Sequence, residues 1–228
     1  MPTSSSFLAP GRATDFEELR SSMVERQLRR RGISDERVLE AMAKVPREEF
    51  VPSDIRSSAY NDSALPIGHE QTISQPWVVA AICQALDLRG DEHVLEIGTG
   101  SGYSAAVLAR LSGHVVTLER VPELGEAAGR KLDELGIRNV QVVVGDGSRG
   151  HPEGAPYDAI AVHAASPEAP HSLLSELARD GRLVVPIAAG NADLLTAFIR
   201  VNGHLRQETI GPCRFVPLIG AEGFKPPE

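Results

Sequence analysis

The feature that most constrains this chain is the alternation, from residue 94 onward, of short apolar runs with helix-length amphipathic segments. VLEI (94–97) leads into SGYSAAVLARL, VVTLE (115–119) into PELGEAAGRKLDELG, and VQVVVGD (140–146) into a loop. DAIAVHA (158–164) is followed by PHSLLSELA, then by RLVVPI (182–187), LLTAFIRV and a final RFVPLI. The runs are unbroken rather than alternating apolar with polar, so both faces of each strand must be covered. Strands that take turns with helices pair in parallel. The expectation is an α/β fold: a doubly wound, Rossmann-like sheet.

Ahead of it, residues 15–46 carry helical spacing: Phe16, Leu19 and Met23, then SDERVLEAMAKV, an N-cap and acidic first turn leading an amphipathic body from near Ser34. A Pro-containing irregular region runs through VPSDIRSSAYNDSALPIG to QTISQP (71–76), where Thr72 and Ser74 read as a turn before the helix WVVAAICQALDL. The sheet therefore has added N-terminal helices. The first 14 residues, rich in Ser, Pro and Gly, read as a mobile extension, and residues 223–228 as a flexible tail. Residues 15–222 form one domain, divided into an N-terminal helical part (15–75) and the sheet core (76–222).

Charge narrows the partners. With 31 acidic against 23 basic side chains the net charge is −8, so neither nucleic acid nor an anionic membrane is expected as a partner. The basic run RQLRRRG (26–32) reads as the solvated face of a helix whose stripe is Val24 and Leu28. The first twenty residues have no continuous apolar h-region, and no stretch approaches the roughly 18 apolar residues of a membrane span. The two cysteines, Cys83 and Cys213, lack metal-type spacing and read as buried free thiols in a reducing compartment, which makes the cytoplasm the expected address. The histidines are scattered, and no metal is expected.

The chemistry concentrates where strands hand over to helices. In VLEIGTGSGYSAAVLARL, Gly98, Gly100 and Gly102 with Thr99 occupy the first such turn, where open α/β sheets bind ligands. A dinucleotide fingerprint wants a small residue at position 103, which is Tyr103. Glu96 would repel a pyrophosphate but attract a ligand carrying an ammonium and a sulfonium. Glu119 ends the second strand, 17 residues after Gly102, where an acid can accept both ribose hydroxyls. Asp146 in GDG ends the third and can accept from an adenine amino group, with Gly147 permitting a tight turn. Each acid alone reads as a cap or turn residue. Three at successive strand ends fit S-adenosylmethionine.

The runs MVERQL, RVLEAMAKVPREEFVP, LPIGHEQTISQP, VLEIGTGSGYSAAVLA, GDG, PYDAI, GRLVVP and RFVPL together resemble the protein-L-isoaspartate O-methyltransferases, from about Met23 to Gly220. The resemblance implies a class I methyltransferase sheet with extra N-terminal helices, S-adenosylmethionine as cofactor and S-adenosylhomocysteine as product. It assigns Ser74 as the active-site residue, Thr72-Ile73-Ser74 as a cover contacting substrate, and cofactor roles to Glu119, Asp146 and Gly147. Val216, Pro217 and Leu218 of the RFVPL run are taken as further substrate contacts. Departures are modest: Asp180 stands where a Gly-Gly pair is usual, and His163 ends a strand that usually finishes with a smaller residue.

The implied activity is methyl transfer to the free α-carboxylate of isoaspartyl residues in damaged proteins or peptides, by a monomer, starting repair through a succinimide. Two alternatives stand beside it: a carboxyl methyltransferase that tailors one dedicated peptide, and a non-catalytic cofactor-binding subunit. Metal-dependent catechol-type and amino-methylating enzymes place carboxylates or an Asn/Asp-Pro-Pro-aromatic turn after the fourth strand. This chain has AVHAASPE, which fits neither.

Overall fold

The computed structural model describes residues 15–226, so the expectation for residues 1–14 lies outside the described residues. Asp15 caps α1 (Phe16–Met23) by accepting from the amides of Glu17 and Glu18. The chain then widens into one π-type turn over Val24–Leu28 and tightens over Arg29–Arg31, ending at left-handed Gly32. Val24 and Leu28 are buried, as the stripe predicts. The basic run is met locally: Arg29 pairs with Glu25 and Glu36, and Arg31 pairs with Asp62 while lying 4.8 Å over the Trp77 ring. The cap of α2 (Glu36–Lys44) is Asp35, whose side chain accepts from the Arg37 amide, while the amides of Ser34 and Asp35 both donate to the Gln84 side chain.

The stretch read as irregular is more ordered than its composition suggests. Two 3₁₀ turns (Arg47–Phe50 and Ser53–Ser58) precede a hairpin of β1 (Leu65–Gly68) and β2 (Gln71–Ile73). Its turn residues, His69 and Glu70, both lie in the left-handed region, the geometry whose twist suits a two-residue hairpin. Helix α3 (Pro76–Leu86) follows, with Pro76 in the first turn, where its missing N–H costs nothing.

The core then alternates as expected: β3 (His93–Ile97), α4 (Tyr103–Leu111), β4 (His114–Glu119), α5 (Pro122–Glu134), β5 (Val140–Val144), β6 (Tyr157–Val162), α6 (His171–Glu176) and β7 (Leu177–Ala189). These strands pair in parallel; β8 (Ala192–Val201) and β9 (His204–Cys213) complete the sheet as an antiparallel meander. The order is β5-β4-β3-β6-β7-β8-β9. Val94, Val115, Ala159 and Val184 pack on the face covered by α3 and α4, while Leu95, Val116, Ile160 and Leu183 pack on the other face with Leu173 of α6. The first core strand, β3, lies between β4 and β6, so successive connections leave it in opposite directions and open a crevice at its C-terminal end.

The last strand corrects the sequence reading. It is HLRQETIGPC, not RFVPLI. β9 is an exposed edge strand and carries no apolar alternation, which hid it. Residues 214–219 instead cross the C-terminal edge of the sheet, joined to it by Ala165 N–Val216 O (2.8 Å) and Leu218 N–Ala165 O (2.7 Å). Their apolar character reflects a cleft wall rather than a ladder. Cys83 is a buried free thiol, whereas Cys213 is only half-buried because it sits on the edge strand. Asp180 is an exposed residue within β7.

Candidate active site

One cleft opens at the switch point, between the β3–α4 loop, the ends of β4 and β6, the β2–α3 connection and residues 216–219. It collects Thr72, Ile73, Ser74, Gly98, Thr99, Gly100, Glu119, Gly147, Val216, Pro217 and Leu218 into one wall. Glu96, Gly102 and Asp146, also named from the sequence, lie beside the cleft without lining it.

The loop after β3 turns through three glycines with φ of 92°, 53° and 87° at Gly98, Gly100 and Gly102, all in the left-handed region that side chains resist. Gly102 also lets α4 approach α5, since a Cβ there would come within 3.2 Å of Ala128. The Gly100 amide donates to Glu119 Oε2 (2.8 Å) and the Val121 amide to Oε1 (2.9 Å). Glu119, which lines the cleft, is thereby clamped through both oxygens. A carboxylate has about four acceptor positions, so capacity remains for two hydroxyls of a ribose. Gly147 has no room for a side chain: a Cβ would stand 2.6 Å from Ile97 Cγ2.

Asp146 spends its carboxylate on the protein. It accepts from the Ser148 amide (3.0 Å), the Ser148 hydroxyl (2.7 Å) and the Ala221 amide (2.9 Å). Partial burial works to raise its pKa, but the Ala221 and Ser148 bonds more than offset this and hold it below the usual value. The carboxylate thus straps residues 219–224 across the end of β5. In the same strap, the Phe224 amide donates to Leu218 O at 2.7 Å and the Gly223 amide to Gly220 O at 3.2 Å.

Under the glycine loop runs a buried polar chain. Thr99 Oγ1 meets Thr117 Oγ1 at 2.7 Å, and Thr117 donates to Glu96 Oε2 at 2.6 Å. Glu96 is fully buried, and its Oε1 has no hydrogen-bond partner, the nearest cationic candidate being His163 Nε2 at 3.4 Å. Burial pushes the Glu96 carboxyl up to about 7, against the opposing pull of the Thr117 bond. His163 lines the cleft at the end of β6 with its Nε2 2.7 Å from Ser104 Oγ, and burial lowers it to about 4.

Sequence reasoning passed over Ser104 and Arg120, which also line the cleft. Each lies beside a residue already singled out, Tyr103 or Glu119, and that adjacency was the available signal. Arg47 was missed too. It lies behind the β2–α3 connection, and its Nη2 donates to the Ser74 carbonyl at 2.8 Å. Among the described residues no cluster of three His, Cys, Asp or Glu could hold a metal, and no helix is long and apolar enough to cross a membrane.

Comparison with known proteins gives the same picture from outside. The family model described as protein-L-isoaspartate(D-aspartate) O-methyltransferase matches residues 18–223. Protein-L-isoaspartate O-methyltransferase 1 of Rhodopseudomonas palustris (strain HaA2) is 54% identical over 214 residues, covering 93% of this chain and 87% of the relative. A Methanoculleus marisnigri protein-L-isoaspartate O-methyltransferase is 48% identical over 206 residues, covering 90% and 94%. A solved protein-L-isoaspartate O-methyltransferase superposes with a TM-score of 0.79 at 33% identity, over 90% of this chain and 67% of that one. A Plasmodium falciparum beta-aspartate methyltransferase in complex with S-adenosyl-L-homocysteine does so with a TM-score of 0.76 at 26% identity, over 88% and 98%. With a family match across nearly all the described residues and half of the positions shared with its relatives, the chain belongs to the protein-L-isoaspartate(D-aspartate) O-methyltransferase family.

Proposed function

We propose that this protein transfers a methyl group from S-adenosylmethionine to the free α-carboxylate of L-isoaspartyl residues in proteins and peptides, the first step of their repair. The observation that carries the reading is the cleft in which the Ser74 segment faces the glycine loop and Glu119. Glu119 and the loop amides would hold the ribose end of the cofactor, with Gly147 and Asp146 at the adenine side. Glu96 would act from beneath, through Thr117 and Thr99, on the loop that carries the methionine end. The cofactor supplies a methyl carbon already activated by its sulfonium.

The chain's remaining task is alignment. An α-carboxylate has a pKa near ~3.5, so at neutral pH fewer than about one in a thousand holds a proton. The nucleophile arrives ionised and no base is required. Ser74 can donate a hydrogen bond to the acceptor and set its angle, while Thr72, Ile73 and Val216–Leu218 cover the site and exclude water. A neutral hydroxyl suits this role, because a stronger donor would stabilise the ionised ground state and slow transfer. The methyl ester so formed is a better leaving group, and attack by the neighbouring backbone nitrogen gives the succinimide.

The net charge of −8 disfavours nucleic acid and anionic membranes as partners. Two free thiols suit a reducing, cytoplasmic setting. The test is methyl transfer to matched isoaspartyl and aspartyl peptides. Strong preference for the isoaspartyl peptide is expected; equal transfer to both, or none to either, would overturn the reading.

A further inference from the structure

Arg47 is the largest of the fully buried side chains. Among the described residues no acid meets its charge: Nε donates to Ala59 O (2.7 Å), Nη2 donates to Ser74 O (2.8 Å), and the guanidinium carbon lies 4.8 Å over the Tyr103 ring. Nη1 is buried without a partner. The neighbouring Glu48 does not serve it, being taken by Arg20 at 2.8 Å and by the Tyr60 hydroxyl. Burying a cation without a counter-charge is costly, and burial pulls the Arg47 pKa down accordingly. Two carbonyls alone could be satisfied by a neutral donor at far lower cost.

What distinguishes this arginine is the set of pieces it joins. Ser74 sits in the two-residue connection between β2 and α3, where its carbonyl belongs to neither ladder nor helix, and Gln75 and Pro76 that follow cannot supply a donor to it locally. Ala59 ends the second 3₁₀ turn of the N-terminal part. Tyr103 opens α4 directly after the glycine loop and lines the cleft, and its ring is held in turn by the Phe50 edge at 5.6 Å and its hydroxyl by Met42 Sδ at 3.6 Å. A planar fork with donors in fixed directions can hold two carbonyls while its face stacks on a ring; a lysine cannot do all three.

We propose that Arg47 is a positioning residue for the acceptor side of the cleft, fixing the backbone of Ser74, and hence its hydroxyl, against the helix that carries the cofactor loop. The inference rests on the role given to Ser74 above. Holding the active-site serine by its own carbonyl limits rotation of the segment without occupying the hydroxyl, which stays available to the acceptor.

The experiment compares wild type with R47K and R47M. Hydrogen exchange of the free proteins, followed by mass spectrometry, should show faster exchange across residues 71–76 in both variants, with strands 93–97 and 115–119 unchanged. With an isoaspartyl peptide at saturating cofactor, kcat/KM should fall by about ten- to a hundredfold in R47M and less in R47K, whereas the Kd for S-adenosylhomocysteine should move by less than about threefold. If R47M does not fold, R47K carries the same comparison. Unchanged exchange over 71–76 would overturn the proposal, and so would a loss of product affinity equal to the loss of kcat/KM, which would mean general loosening. Because the exchange experiment needs no substrate, a failure of the inference is distinguishable from a failure of the isoaspartyl reading, which would show as an inactive wild type.

Discussion

The buried pair beneath the glycine loop makes a prediction whose sign follows from proton counting. The unfolded chain titrates Glu96 near 4.5 and His163 near 6.5; in the folded protein burial moves these to about 7 and about 4. Between pH 4.5 and 6.5 the unfolded chain carries one proton of the pair, on His163, and the folded protein also carries one, on Glu96. The counts are equal, so in the wild type the pair contributes almost no slope of stability against pH. Substitution of either member exposes the other. In His163→Asn the folded protein keeps the Glu96 proton that the unfolded chain has released, so stability falls as pH rises across the window. In Glu96→Gln the unfolded chain holds a proton that buried His163 refuses, so stability rises with pH. Each slope is at most about 1.4 kcal/mol per pH unit, because one proton is involved. The groups facing the pair are Thr117, Ser104, Phe215 and, as the nearest further charge, Glu119; all are retained in both variants. Urea unfolding followed by the fluorescence of the single tryptophan, Trp77, gives stability at each pH, and subtracting the wild-type curve removes every other titration. Opposite slopes are expected. Two flat difference curves would refute the reasoning, showing that neither group is shifted.

Glu119→Ala should weaken S-adenosylhomocysteine binding by roughly 2–4 kcal/mol, about 30- to 1,000-fold, because it removes charge-assisted contacts and releases the Gly100 amide; unchanged affinity by calorimetry would remove Glu119 from the site. Ser74→Ala should slow turnover by about 10- to 150-fold, the worth of roughly 1.5–3 kcal/mol for one hydrogen bond to a charged group, with a smaller change in cofactor affinity. A covalent adduct on Ser74 in mass spectrometry would contradict the orienting role. Gly147→Ala should cost about 1–3 kcal/mol by thermal unfolding, since the new Cβ overlaps Ile97; an unchanged melting temperature would show that β3 can give way there.

The parallel core was legible because its central strands, β3, β4 and β6, are buried on both faces and so written in near-continuous apolar letters. β9 was not, because Arg206, Gln207 and Glu208 belong to an exposed edge whose pairing is carried by the backbone. Its one local signal is Asn202-Gly203, both left-handed, which marks a two-residue hairpin between Val201 and His204. RFVPLI misled for the converse reason, since an apolar run can line a cleft as well as fill a sheet. In the site, strand-end position pointed to Glu119, Gly98, Gly100 and Gly147, all of which line the cleft, and to Gly102, which does not. The same logic says nothing about what else a carboxylate touches: Asp146 is engaged by Ser148 and Ala221, contacts made across 75 residues in the second case. Arg47 was invisible because hydrophobic patterning treats an arginine as surface.

On the proposed function, the placement of these groups divides the chemistry between two parts of the chain. Glu119, Gly98, Gly100 and Gly147 sit at the ends of parallel strands, and the sheet alone fixes their spacing. Ser74 and Thr72 belong to a short connection outside that sheet, and Val216–Leu218 to a segment that merely crosses its edge. A hydroxyl that only orients an ionised acceptor gains its effect from placement, and a misplacement of about 1 Å can cost on the order of a hundredfold. The orienting residue therefore needs support that a two-residue connection cannot give itself. The N-terminal helices and turns supply it: their residues bury Arg47, and Arg47 returns one hydrogen bond to Ser74 and one face to Tyr103. On this reasoning the added N-terminal part is the rigid mount of the acceptor site, and the sheet the mount of the cofactor, with the buried guanidinium holding the two in register.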